Sequence, residues 1–329
     1  MLIRYGAMAL AAFLASATTL SAQPQLTEAQ QREVEFIFEL FENVWDDDDP
    51  APNELSVQWT DQHFLQAQQD YLYIPFTVSF DRAATSASEL VVYWRVLPSS
   101  SEMPETDAEL AFENLNFATV PAEGPAKISR AFSVPAGSWD VWLMMKEPEP
   151  DKRGAPDAKV SLIKHTVEVP NLWNNELTPV IIVADRINNL PAPLTPEQMG
   201  ERPYAMGTME VVPAEDMEFP VTGEMNLVML IFNPRGDNTN KPNVAVEYSF
   251  YTVKEGGAEE FYNKTPVQDM NGTTLPPGFS LAMGHQLQTG QTIPLKGFPV
   301  GQYRLEVKVT DNLSNQTVTQ NVNFTVTGS

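Results

Sequence analysis

Two stretches far apart in the chain, VPAGSWDVWLMM (134–145) and FPVGQYRLEVKV (298–309), superpose without a gap as apolar, Pro, x, Gly, x, aromatic, x, apolar, x, apolar. The Pro and Gly turn the chain, and the period of two that follows sends alternate side chains to opposite faces of a strand. Trp139 or Tyr303 then opens an inward row with Val141, Leu143 and Met145, or with Leu305, Val307 and Val309. Each copy follows a strand-like run that ends near the Pro, AKISRAFSV or QTIPLKGF, and precedes a polar turn and a closing run, KVSLIKHTVEV or TVTQNVNFTV. Further upstream, YLYIPFTVSF with ELVVYWRVL corresponds to NLVMLIF with NVAVEYSFYTV. One plan written twice in short alternating runs predicts an all-β chain, two immunoglobulin-like antiparallel β-sandwiches in tandem. Their expected bounds are 54–172 and 173–329, joined through PNLWNNELTP. The buried cysteine pair of antibody-type domains is excluded, because the chain has no cysteine.

The N-terminal part speaks a different language. Residues 1–22, MLIRYGAMALAAFLASATTLSA, combine a positive charge at Arg4, an apolar run and small residues before two cleavage points, after Ala17 or Ala22. That pattern predicts a secretory signal peptide, and its apolar run is shorter than the roughly 20 residues a spanning helix needs. Residues 23–53 then read as one amphipathic helix and an acidic hinge. In TEAQQREVEFIFELFENVW (27–45), Thr27 and Gln30 make a capping box, Val34, Ile37, Phe41 and Val44 recur at the helical period with Leu40 beside them, and Glu33, Glu35, Glu39 and Glu42 fall mostly on the other side.

Asp46, Asp47, Asp48 and Asp49 follow, then Pro50 and Pro52. Four carboxylates at a helix C-terminus oppose its dipole, each by about 0.3–1 kcal/mol at the surface. Calcium is the cation that suits an all-oxygen set, and these aspartates are the metal candidates of the chain. Consecutive aspartates cannot all point at one ion, however, and a solvated hinge is the simpler reading. No other cofactor is expected.

Composition narrows function mainly by exclusion. With 20 Lys and Arg against 43 Asp and Glu, the formal charge of −23 argues against nucleic acid and anionic membrane surfaces as partners. A signal peptide without any cysteine suggests a bacterial protein of the periplasm or beyond. His63, His165 and His285 lie in unrelated contexts, and no nucleophile elbow, phosphate loop or zinc spacing is legible. The expectation is a chain that is not an enzyme, with a carboxylate-based hydrolase as the residual case.

One anomaly points to a surface. The outward positions of the second copy are Arg304, Glu306 and Lys308, a normal wet face, whereas the matching positions of the first are Asp140, Trp142 and Met144. Tyr71 and Tyr73 point outward if Leu72, Ile74, Phe76 and Val78 point inward, and Tyr93 lies opposite Leu90, Val92 and Trp94. The first domain therefore carries aromatics on both faces, and something must cover the outer one. The chain's own helix, the second domain and an external partner are the three possible covers. For the third, Tyr71, Tyr73, Tyr93, Trp142 and Met144 are the interaction residues, and the partner is an envelope protein or a polysaccharide stacked on the rings.

The run ERPYAMGTMEVVPAEDMEF, a strand ending FNP, then VEYSFY and FPVGQYRLEVKVTDNLSNQTVTQNVNFTV resemble the tandem immunoglobulin-like region of secreted, largely uncharacterised proteins of environmental bacteria. Some of those carry it behind a domain named for a Gly-Trp-x-Thr-Asp motif, which is missing here. The resemblance covers most of residues 60–329; it implies fold and export, and transfers no catalytic residue. The sequence reading is an exported, non-enzymatic protein-interaction or structural module of the cell envelope, with carbohydrate binding through the aromatics of the first domain as the alternative.

Overall fold

In a computed structural model, the structure describes Glu33, Phe36, Ile37, Leu40, Val44 and residues 50–67, 70–99, 111–123, 126–149, 157–214 and 216–328. The signal peptide (1–22) and Asp46–Asp49 lie outside the described residues. What is described is nearly all β, in four sheets. The all-β class read from the alternating runs is the observed class.

The chain divides into two compact units, one of residues 1–61, 77–128 and 137–168, the other of 62–76, 129–136 and 169–329. The sequence reading keeps 54–172 together. The division passes through the strands Tyr71–Ser79 and Lys127–Pro135.

The sheet that carries the candidate face lies in the first unit. Its order is Phe112–Thr119, Glu89–Pro98, Gly137–Lys146, Val160–Val169. Leu90, Val91, Val92, Tyr93 and Trp94 are consecutive and all buried, with exposures of 0 to 2%. A strand buried residue after residue is covered on both faces, which departs from the one-wet-face pattern of a simple sandwich.

In the second unit, buried residues between Leu177 and Val326 share an apolar core. One sheet runs Ala205–Met206, Met209–Pro213, Thr178–Asn189, Glu224–Phe232, Leu287–Pro294, and the other Glu218–Pro220, Gln316–Thr327, Gly301–Asp311, Val244–Val253, Glu259–Lys264, with Gln268–Met270 also on Val244–Val253. Leu227, Met229 and Ile231 of the first meet Val246, Tyr248, Phe250, Leu305, Val307 and Val309 of the second in that core. The pairing of Glu218–Pro220 with Gln316–Thr327 is parallel, while the ladders along Gly301–Asp311 are antiparallel.

The repeated motif is visible in the backbone. Gly137 and Gly301, at matching positions, have φ of 149° and 152°, a region that side chains rarely enter. After them Val141, Leu143 and Met145, like Leu305, Val307 and Val309, are completely buried. The aromatic that opens each row differs. Tyr303 is buried and its hydroxyl donates to the Pro299 carbonyl at 2.7 Å. Trp139 is only half-buried, its indole Nε1 lying 3.4 Å from where a Cβ on Gly137 would stand.

Candidate interaction face

Cross-strand register assembles the face. Tyr93 is opposite Met144 on one side and Leu115 on the other; Val91 is opposite Lys146 and Phe117; Arg95 is opposite Trp142 and Glu113. Directly opposed residues share a face, so three rows of three side chains lie on one side of the sheet. Val160 and Leu162 extend it from Val160–Val169.

Five helical residues rest on this grid. Ile37, 1% exposed, belongs to the cluster with Val91, Tyr93, Met144, Val160 and Leu162, and Phe36, Leu40, Val44, Leu115, Phe117 and Trp142 pack around it. The spacing of residues 36, 37, 40 and 44 places them along one stripe of a helix. The first of the three covers weighed from sequence, the chain's own N-terminal residues, is the one found on these side chains.

A buried charge closes one end of the contact. Lys146 has no solvent exposure, and its Nζ donates to Glu33 Oε2 at 2.7 Å and to the Glu147 carbonyl at 3.0 Å, with Glu149 Oε1 at 2.8 Å. Glu33 Oε1 accepts the Glu149 amide at 2.9 Å, so both oxygens of this carboxylate are engaged. The ring of Phe36 stands 4.7 Å from the same ammonium. Buried charges require this degree of partnering. The sequence reading puts Glu33 on the wet side of the helix; it is 4% exposed, because Lys146 at the strand's end offers it an ammonium and Glu149, three residues on, an amide.

A second polar group lies further along the strand. Asp140, 4% exposed, accepts from Lys164 at 2.7 Å, Thr166 at 2.7 Å and Ser99 at 3.1 Å. Burial pushes its pKa up, but the bonds from Lys164, Thr166 and Ser99 outweigh this and hold the carboxyl below its ordinary value. Lys164 also spans the Trp142 ring at 5.4 Å. In the second unit the matching positions are half-buried and engaged in ion pairs: Arg304 grips both oxygens of Glu259 at 2.8 and 2.7 Å beside the Tyr251 ring, and Lys308 meets Glu247 at 2.9 Å.

The five sequence-selected interaction residues therefore fall into two groups. Tyr93, Trp142 and Met144 come together; Tyr93 and Met144 are 2% and 1% exposed, and Trp142 is half-buried. Tyr71 and Tyr73 lie in the other unit and are not part of this cluster. Tyr71 is 45% exposed, while Tyr73 is half-buried, and its burial raises its pKa. Sequence reasoning missed Leu115 and Phe117, whose short alternation in FENLNFAT is the signal that marks them, and it missed the stack of Trp59 on His165, centroids 4.5 Å apart at 13°. Among the described residues no group of three or more His, Asp or Glu could hold a metal ion, and no helix is long and apolar enough to cross a membrane.

No family model matches the chain, and no curated protein matches it. Among solved structures it is similar to a DUF4785 family protein from Legionella pneumophila, at 8% identity and TM-score 0.25, covering 82% of this chain and 56% of that one. It is also similar to the trypsin-activated alpha-2-macroglobulin of Escherichia coli, at 9% identity and TM-score 0.22, covering 85% of this chain and 17% of that one. At these TM-scores neither likeness bears on fold or function.

Proposed function

We propose that this chain is an exported, non-enzymatic module of the bacterial cell envelope that serves as a structural or protein-interaction part. In this reading residues 1–22 are a signal peptide, residues 27–45 form one helix, and two immunoglobulin-like sandwiches follow in tandem. The carrying observation is the use made of Tyr93 and Met144. Both lie under the chain's own N-terminal residues, in a cluster with Ile37. A sugar platform needs ring faces open to solvent, and a buried Tyr93 removes the main reason for a polysaccharide at this face. The formal charge of −23 supports solubility in the envelope and opposes polyanionic partners.

Two measurements test the reading. Expressed with its own N-terminus in a Gram-negative host, the protein is expected in the periplasm, beginning at Gln23 or Thr18 by N-terminal sequencing; retention in the cytoplasm with Met1 intact removes the export. The mature chain is then immobilised, crosslinked in envelope extract with calcium or with chelator, and the retained proteins and glycans are identified. A protein crosslinked at defined residues of this chain supports the interaction reading. A polysaccharide retained by wild type and lost from Trp142→Ala replaces it with the carbohydrate reading, and retention lost only in chelator returns Asp46–Asp49 to candidacy as a metal site.

A further inference from the structure

We infer that Lys146 is the residue that fixes the register of the N-terminal helix on its sheet, admitting the helix only where a carboxylate meets the buried ammonium. The inference rests on the proposed reading of residues 27–45 as one helix. Apolar contact alone does not settle register, because this segment repeats its apolar positions every three or four residues. Sliding it by four toward its own N-terminus brings Phe41 to the place of Ile37, Val44 to that of Leu40 and Asp48 to that of the half-buried Val44. Most of the stripe is satisfied again. The opposite slide is excluded on apolar grounds, since it puts Glu33 where Ile37 is 1% exposed.

Apart from Asp48 in the place of half-buried Val44, the competing slide fails where a charge is buried. It brings Ile37 to Lys146, whose Nζ has Glu33 Oε2 at 2.7 Å and no solvent exposure. It also strips the Glu149 amide of its acceptor, Glu33 Oε1 at 2.9 Å. Glu149 Oε1, 2.8 Å from Lys146, remains, but its side chain is 45% exposed and engages the ammonium from the solvent side. Removing one partner of a buried pair is far more damaging than replacing both by apolar groups, and selection of a single register is the best-attested use of such pairs. Lys146 thus discriminates against a placement that still puts apolar residues at three of the four stripe positions. The geometry states what this surface recognises: an amphipathic helix with Glu four residues before its deepest apolar anchor, as Glu33 precedes Ile37.

The test uses the full mature chain. Having no native cysteine, it takes spin labels at Asn43→Cys and at the exposed Ser86→Cys without background, and electron–electron distance measurement reads the helix position. Wild type is expected to give one distance, with the amides of residues 33–44 protected from hydrogen exchange. Glu33→Gln is expected to reduce that protection about tenfold to hundredfold, the range for a lost hydrogen bond to a charged group. The compensated variant Glu33→Leu with Lys146→Met keeps the helix docked and protected but gives two distances, reflecting a slide of about 6 Å along the helix axis, four residues at about 1.5 Å each. A protected helix with a single unchanged distance in the double variant overturns the role of Lys146. Absent protection of 33–44 in wild type overturns instead the helix reading on which it stands.

Discussion

Tyr93 and Met144 oppose each other directly across the antiparallel pairing of Glu89–Pro98 with Gly137–Lys146, and 2% and 1% of their surfaces reach solvent. The pair forms the floor on which Ile37 packs. Met144→Ala removes part of that floor and is expected to destabilise the chain by about 2–5 kcal/mol, whereas the volume-conserving Met144→Leu is expected to stay under about 1.5 kcal/mol. Urea unfolding of the two variants separates them; equal midpoints show that the helical residues do not rest on this side chain.

Asp140 gives the first unit a dependence on acid. Its folded pKa lies below the ordinary value, so its stabilisation is complete above the unfolded pKa of about 4 and disappears as pH falls through that value toward the folded one. Asp140→Asn is expected to lose about 1–3 kcal/mol at pH 7 relative to wild type, since three donors then face an amide. The gap between the two proteins should narrow as the pH is lowered below about 4. A gap independent of pH between 3 and 7, in chemical denaturation, argues that shape and not charge holds the site.

His165, stacked on Trp59, has its pKa lowered by burial, so the native state prefers the neutral ring. Its contribution is whole above the unfolded value of about 6.5 and falls away as pH drops through that value toward the folded one. Titration by NMR is expected to place His165 below a histidine in an unstructured model peptide. His165 titrating with or above a model peptide removes the burial argument.

Gly301 has φ of 152° and open space where a Cβ would stand, so Gly301→Ala isolates backbone strain from steric clash. A cost of about 1–3 kcal/mol is expected. Gly297→Ala is a related probe, with φ of 104° and open space as well. If Gly301→Ala unfolds at the wild-type denaturant concentration, the turn that opens the repeated strand tolerates another backbone path.

The repeat was legible because Pro, Gly and a period of two are local. The glycine pair at 137 and 301 turned out to share one uncommon φ, and the three apolar residues after each are fully buried. The outward residues were less legible. Asp140, Trp142 and Met144 could be assigned to a side of their strand, but a side is not an environment. Glu33 shows the limit most sharply: helical periodicity set it beside the apolar stripe, and only a lysine more than a hundred positions later in the chain makes its burial favourable.

What the sequence determined by itself is therefore the strand content and the order of inward side chains, since alternation and turn chemistry act within a few residues. Tertiary structure alone decided that Tyr93 and Met144 are covered, that Glu33 meets Lys146, and that Tyr71–Ser79 and Lys127–Pro135 divide between two units. These outcomes depend on which distant segments are brought together, and the free energy of burying a ring or a charge is set by that company, not by its neighbours in the chain.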